Sequence, residues 1–429
     1  MPRKFAILML LLVIFISSSL SPSSQAQILR ESEFGVNSHI ASRYGNYDVM
    51  NWPADVIAGS GAGWVREDFH WFWIEPQQGN FQWEYYDRMV DLLVGHGLHI
   101  IGVLGHPPGW ATYEPGDDPS GPSFYAPDPQ RFAEFAAQVV MRYRHRIVHW
   151  EIWNEPDNPQ FWLPQPDPIA YAELLSTVYP VISAVAPESN VLIGGLNPFD
   201  SSFLQTIAEH GAWWAFDIIN IHPYVDPATP EAQGEIGTAS IKSIERVTSW
   251  ADGKPIWVTE YGWSSLPTDR DPAGQASEED QANYMVRAAV LLRAAGVWRV
   301  LWYSIKDEVH NGYGLMRFAG NYDDYSQPRP AYTAFVTLNR QLGGADFERP
   351  LDEVRLVSGG GVYAYRFLQD DATVDVIWAL EPSIIQVPTG HAEAEVYNRN
   401  GNHWTVTAEQ GALRLYPDES PIYVRQPRK

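Results

Sequence analysis

Cysteine is absent from all 429 residues. That excludes disulfides, thiolate metal sites and cysteine nucleophiles, so the chain must rely on a large core. Positive charge is scarce: 29 Lys and Arg face 52 Asp and Glu, a net −23 at pH 7. Such a surface argues against nucleic acid and anionic membranes as partners. It also disfavours a strongly anionic polymer as substrate unless the cleft is locally basic. Long apolar runs are missing, with one exception. Phe5–Ile16 is apolar, too short to span a bilayer comfortably, preceded by Arg3 and Lys4 and followed by the small-residue site Ser24-Gln25-Ala26. Residues 1–26 therefore read as a cleaved signal peptide, with an uncleaved anchor as the alternative. Losing Arg3 and Lys4 with it takes the net charge from −23 to −25. No other stretch reads as membrane-crossing, and the mature chain is expected to be secreted or extracytoplasmic and soluble.

Aromatic residues are abundant, with 18 Trp and 22 Tyr. They suit core and rim packing first, and flat, partly apolar ligands such as sugar rings second. The length accommodates a barrel of about 250 residues plus a smaller module.

Short apolar segments alternate with helical patterns. Phe34–Ile40, Gly63–Asp68, His99–Gly105, His149–Glu155, Asn190–Leu196, Asp217–Tyr224, Pro255–Gly262 and Arg299–Ser304 read as eight strands. Several are almost continuously apolar, as parallel strands covered on both faces are. Between them, Arg131–Arg144 places Phe132, Phe135, Ala136, Val139, Val140 and Tyr143 on one helical face. Asp128-Pro129 and Asp167-Pro168 supply an N-cap and a first-turn proline. Ser277 with Glu278, Glu279 and Asp280 opens another helix. Eight alternations point to an α/β fold, a (β/α)8 TIM barrel, over residues 27–344. A doubly wound open sheet would want a Gly-rich turn after the first strand, and "GVNSHIASRYG" is not one. From residue 345 to 429 the pattern changes to short strands separated by turns such as Gly359-Gly360-Gly361 and Asn400-Gly401-Asn402. This is a small C-terminal, sandwich-like all-β module, with Ile28–Glu33 as a candidate further strand. Trp378 and Trp404 alternate like core positions, so a buttress is favoured over a polymer-binding surface.

In such a barrel, chemistry sits at the carboxyl ends of the strands. Strand four, "HWEIWNEP", ends in Asn154-Glu155, and strand seven, "PIWVTEYGW", in Glu260. Two carboxyl groups facing each other across one mouth are the minimal equipment for glycoside hydrolysis. Strand two offers Arg66, strand three His106, strand six His222 and Tyr224, strand eight Trp302. An Arg keeps a neighbouring carboxylate ionised, a Tyr can donate to it, and a Trp can form a floor under a pyranose. Taken singly, each has a plain structural reading as a cap, ion pair or core residue; their joint placement at strand ends is what argues for a site. Asp307 and Lys306 are candidates for substrate contact, and Trp110, Trp71 and Trp73 for sugar platforms.

The set Arg66, His106, Asn154-Glu155, His222, Tyr224, Glu260 and Trp302 resembles the signature of clan A glycoside hydrolases over about residues 34–340. "IEPQQGNFQWEYYD" (Ile74–Asp87) looks like a helix-entry segment of that clan. "FGVNSHI", "GHPPGW" and the C-terminal β-module look most like glycoside hydrolase family 39, which includes β-xylosidases, α-iduronidases and exopolysaccharide endoglycosidases. The resemblance implies a retaining enzyme with Glu155 as acid/base, Glu260 as nucleophile, and Asn154 on the sugar 2-hydroxyl. It also implies carboxyl groups about 5–5.5 Å apart. Glu155 must then be protonated when substrate arrives. No cofactor or metal is expected, and the partner is an oligo- or polysaccharide. An endo-acting enzyme is favoured over an exo-acting β-xylosidase-like one; the loop Thr112–Ala126 could close or line the cleft. Rival readings are a carbohydrate-binding protein on an inactive barrel, a metal-dependent hydrolase using His39, His106 and His222, and a transglycosylase.

Overall fold

The computed structural model of the protein describes residues 32–43, 46–114, 116, 118–198, 201–232, 244–249, 251–268, 272 and 276–428. The segment read as a signal peptide lies outside them.

All eight expected barrel strands form; His99–Gly105 has the expected bounds, and the others are shorter than the sequence pattern or shifted by a residue or two. They are β1 (Phe34–Asn37), β2 (Trp64–His70), β3 (His99–Gly105), β4 (His149–Ile152), β5 (Asn190–Ile193), β6 (Ile219–Ile221), β7 (Ile256–Tyr261) and β8 (Arg299–Trp302). Every neighbouring pair is parallel, in the order β5-β4-β3-β2-β1-β8-β7-β6. Parallel bridges Leu192–Ile218 and Leu196–Ile221 bring β6 back to β5, so the ring closes as a TIM barrel. The helices run where the sequence puts them: Pro129–Tyr143 and Pro168–Val185 start on Asp128 and Asp167, whose side chains accept two backbone N–H groups each. Glu278–Ala294 opens with a reciprocal capping box between Ser277 and Asp280. Pro168–Val185 is, among the described residues, one helix long and apolar enough to meet the length and composition of a membrane span, contrary to the sequence reading. Here its Tyr171, Leu174, Leu175, Val178 and Ile182 are buried in the barrel wall instead.

The period-two alternation of the strands sorts the barrel interior into layers. Trp64, Ile101, Leu192, Ile218, Trp257 and Leu301 plug the bottom. Gly35 belongs to the same level, because a Cβ there would stand 2.7 Å from that of Trp64. Above them lies a polar layer: Asn37, Arg66, Glu151, Asn220 and Thr259, all essentially sealed from solvent. The mouth lies above that.

The C-terminal module is all-β, as expected. Its six-stranded antiparallel sheet runs β15 (His403–Thr407), β14 (Glu393–Asn398), β17 (Ile422–Pro427), β12 (Ala372–Ala379), β11 (Val362–Leu368), β9 (Asp346–Pro350). A second sheet of β10 (Arg355–Ser358), β13 (Ile384–Pro388) and β16 (Ala412–Leu415) covers one face, with Ile377, Ile385, Val387, Val396, Leu413 and Val424 between the two. The other face, through Phe367, Val374, Val376, Trp378 and Tyr423, merges with the barrel core. Arg399 locks the contact, donating to Asn283 Oδ1 at 2.6 Å and pairing with Glu279 on helix Glu278–Ala294. Trp378 is a core residue as expected, stacked on Tyr363 at 5.3 Å. Trp404 is not: it is 44% exposed on the edge strand β15. Of Ile28–Glu33, the described Ser32 and Glu33 join no strand of the module. Ser32 donates to Asn339 and Glu33 accepts from the Gly344 N–H.

Candidate active site

The mouth is built on the buried guanidinium of Arg66. Its Nε and Nη2 donate to the two oxygens of Glu151, each at 2.8 Å. Nη2 also donates to Asn154 Oδ1 at 2.7 Å, while Nη1 donates to Asn37 Oδ1 at 3.1 Å and to Glu260 Oε1 at 2.5 Å. All five N–H groups are thereby used, which is what a fully desolvated guanidinium requires. Burial alone would lower its pKa, but Glu151 and Glu260 outweigh burial and raise it. Arg66 points into the barrel, and its ion pairs are with Glu151 and Glu260 rather than with its chain neighbours Glu67 and Asp68.

Glu260 reaches the mouth through a β-bulge. Val258 pairs with Val300 and Tyr261 with Trp302, so β7 carries one residue more than β8 over the same stretch. Thr259 and Glu260 can therefore both serve the barrel interior, where strict alternation would send one of them outward. Glu260 is 8% exposed, and Tyr224 donates to its Oε2 at 2.9 Å. Glu155 arrives by another device. β4 stops at Ile152, and Trp153 (φ 69°) and Glu155 (φ 46°) take left-handed backbone conformations that turn the carboxyl back over the mouth. Such non-glycine residues cost energy and collect at functional sites; His39 (φ 51°) and His106 (φ 47°) do the same at the tips of β1 and β3.

His222 stands between the two carboxyl groups. Its Nδ1 is 2.9 Å from Glu155 Oε1 and 3.9 Å from Glu260 Oε2, and its Nε2 is 3.0 Å from Thr259 Oγ1. Burial pulls its pKa down, but Glu260 and Glu155 together push it up on balance. Asn158 Nδ2 donates to the other oxygen of Glu155 at 2.7 Å. One oxygen of Glu155, one of Glu260 and a His222 nitrogen all lie within 4.8 Å of one another. Three such donors could also hold a cation, but not the trio His39, His106 and His222 envisaged from sequence.

A cavity of about 930 Å³ opens over this centre, lined by His39, Arg66, Asp68, His106, Asn154, Glu155, Tyr224, Glu260, Tyr303 and Glu308 together with the loop residues Asn158, Gln160, Phe161, Pro267, Thr268, Pro272, His310, Asn311 and Tyr313. A second, of about 280 Å³, lies on the other side of Glu155, lined by Asp157, Asn158, Asn197, His222 and Tyr224. Burial raises the Asp157 carboxyl to about 6. His106 lines the main cavity as expected, its imidazole held neutral by burial with a pKa lowered to about 3.

Several candidate residues lie away from the cavity. Trp302 is wholly buried, with its indole N–H donating to the Tyr313 carbonyl and its ring against Tyr261 and Trp263. Strand alternation sends it to the helix layer and sends the next residue, Tyr303, into the cavity. Asp307 is bound to Arg329 at 2.5 Å and accepts from the Gly314 N–H, a buried brace for the loop after β8. Lys306 donates to the Asp324 carbonyl over the Tyr325 ring. Trp110, Trp71 and Trp73 do not line the cavity: Trp110 donates to the Pro76 carbonyl and packs on Trp71, Trp71 stacks on Phe135, and Trp73 is an exposed residue against His70. None of the described residues of loop Thr112–Ala126 lines the cavity either; its Phe124 packs behind His106. Conversely, Glu151, Asp68, Thr259, Asn158, Tyr303 and Glu308 were missed. Only Glu151 carried a signal, as a carboxylate inside the apolar strand "HWEIW".

Comparison with known proteins agrees with this geometry. Residues 152–328 match the glycosyl hydrolase catalytic core family, and residues 47–114 match a family described as beta-galactosidase. The matched core makes the chain a glycoside hydrolase by class. Among solved structures, a family 39 glycoside hydrolase from Bacteroides cellulosilyticus superposes with a TM-score of 0.74 at 24% identity, over 92% of this chain and 81% of that one. A family 39 β-xylosidase from Caulobacter crescentus gives 0.62 at 18%, over 93% and 96%. A family 30 endoxylanase from Clostridium papyrosolvens gives 0.64 at 12%, over 93% and 97%. The barrel with its β-module is thus the fold these families share, and the sequence resemblance to family 39 holds at that level.

Proposed function

We propose that the protein is an exported, retaining glycosidase that cleaves polysaccharide chains internally, with Glu155 as acid/base and Glu260 as nucleophile. The observation that carries the mechanism is the approach of the Glu155 and Glu260 oxygens to within 4.8 Å. An approach of this order between one oxygen of each is what a retaining pair allows, with its carboxyl groups about 5–5.5 Å apart, and it favours direct attack on the anomeric carbon. The partners divide the labour. Arg66 and Tyr224 hold two hydrogen bonds on Glu260 and fix its carboxyl toward the cavity, as a nucleophile requires. Glu155 faces an imidazole and an amide, partners able to accompany it through both protonation states. Protonation of the leaving oxygen by Glu155 accompanies formation of a glycosyl ester on Glu260; Glu155 then takes a proton from the attacking water as the ester breaks. Space on both sides of Glu155 supports a substrate continuing past the cleaved bond, hence internal cleavage. Exo action is the alternative. The basic start and apolar run before Ala26 support export.

The test is hydrolysis of aryl β-glycosides and soluble polysaccharides by wild type, Glu155→Gln and Glu260→Gln, with NMR of the first-formed anomer and sizing of early products. Retained configuration, loss of activity in Glu260→Gln and early mid-length fragments are expected. An inverted product, or full activity in Glu260→Gln, would overturn the mechanism; monosaccharide release from the outset would favour exo action.

A further inference from the structure

The wall of the cavity on the β1–β2–β8 side is a carboxylate wall. We infer that Asp68 and Glu308 are specificity-determining residues that select an uncharged glycone and reject a uronic acid at the bond-cleaving subsite, a reading that rests on the glycosidase function proposed above. Asp68 lies two residues beyond Arg66 on β2, one level higher in the barrel, and lines the cavity. Its Oδ2 is 2.7 Å from His39 Nδ1 and 3.9 Å from His70 Nε2. Burial would raise its pKa, yet His39, His70 and Arg66 hold it well below the ordinary carboxylate range. Glu308 follows β8, also lines the cavity, and is 37% exposed by side chain. Tyr303 Oη donates to its Oε1 at 2.6 Å, Asn311 Nδ2 to its Oε2 at 2.8 Å, and Arg43 pairs with it.

Charge bookkeeping gives the wall its meaning. Among the described residues that line the cavity, four are carboxylic acids (Asp68, Glu155, Glu260, Glu308) and one is a guanidinium, Arg66. Arg66 has spent its donors on Glu151, Glu260, Asn37 and Asn154. The two cations nearest Glu308 in sequence and space are also engaged: Arg43 on Glu308 and the Lys306 carbonyl, Lys306 on the Asp324 carbonyl. A sugar carboxylate placed here would meet ionised oxygens and, among the described residues, no lysine or arginine able to turn toward it, whereas sugar hydroxyls can donate to the unused lone pairs of Asp68 and Glu308. Rejection of a wrong substrate by like charge is strong in a site of this burial.

The test compares aryl β-xyloside and β-glucoside with aryl β-glucuronide carrying the same leaving group, for wild type, Asp68→Asn and Glu308→Gln. Wild type should cleave one or both neutral glycosides with kcat/KM at least about 100-fold above the glucuronide. Each variant should narrow that ratio by about tenfold, the Glu308→Gln chain serving if Asp68→Asn does not fold. A glucuronide cleaved as fast as the neutral sugars, or a ratio unchanged in a folded variant, would overturn the inference and leave the glycosidase reading intact. No cleavage of any of the three, with soluble polysaccharides also untouched, would overturn the glycosidase reading itself and this inference with it.

Discussion

His222 Nδ1 lies 2.9 Å from Glu155 Oε1. The other ring nitrogen fixes what that contact is. Thr259 Oγ1 donates its proton to Asn220 Oδ1 at 2.9 Å, so it can only accept from His222 Nε2. Nε2 therefore carries hydrogen, and the contact at Nδ1 shares one proton between imidazole and carboxyl, the arrangement an acid/base residue needs. The ring fits because residue 195 has no side chain: a Cβ on Gly195 would stand 1.9 Å from His222 Nε2.

Gly195→Ala should accordingly act on catalysis through His222. Displacing the ring tilts Glu155, and a misplacement of about 1 Å costs about 100-fold in kcat/KM. The loss should be large for substrates with poor leaving groups and small for nitrophenyl glycosides, which need little protonation. Steady-state kinetics on the two classes, with circular dichroism to verify the fold, check it; an equal loss on both would place the effect elsewhere.

Tyr224→Phe removes one hydrogen bond from Glu260 and leaves the Arg66 bond in place. A hydrogen bond to a charged group is worth about 1.5–3 kcal/mol, so kcat/KM should fall by about 10- to 100-fold with melting temperature nearly unchanged. Arg66→Met is the contrasting change: it strands Glu151 at the barrel centre and should destabilise the fold by about 3–5 kcal/mol in denaturant titration.

Trp302→Ala and Tyr303→Ala should separate stability from binding. Trp302 is wholly buried, and its truncation should cost about 3–5 kcal/mol of stability. Tyr303 lines the cavity and braces Glu308, so its truncation should raise KM with a smaller loss of stability. If Trp302→Ala folds normally and only binding suffers, the assignment of faces on β8 is wrong.

Acid should destabilise the protein through His149, at the bottom of the barrel against Trp64 and Trp257. Burial, with His99 and Arg299 near, lowers its pKa from 6.5 to about 4. Between those values the unfolded chain binds the proton and the folded one does not, so stability falls as pH drops through 6.5 and levels off below about 4. The contribution is roughly 3 kcal/mol over the window. Melting temperature against pH should show the slope in wild type and lose part of it in His149→Phe.

The sequence by itself determined the barrel, its eight strands, the β-module and the position of Glu155 and Glu260 at strand ends. The physical reason is local: burial on both faces writes continuous apolar strands, helix starts write Asp-Pro and Ser-x-x-Asp, and a strand's end is where an apolar run meets a polar residue. What only the tertiary structure decided is which neighbour of a strand end faces the mouth. The bulge in β7 brings Glu260 in beside Thr259, left-handed residues turn Glu155 over the opening, and plain alternation turns Trp302 away in favour of Tyr303. Partners distant in the chain were equally illegible: Glu151 is 85 positions from Arg66 and Glu308 is 265 from Arg43, and nothing local marks either pair. A polar residue's role in the barrel depends on the three or four strands converging on it, and that convergence exists only once the ring has closed.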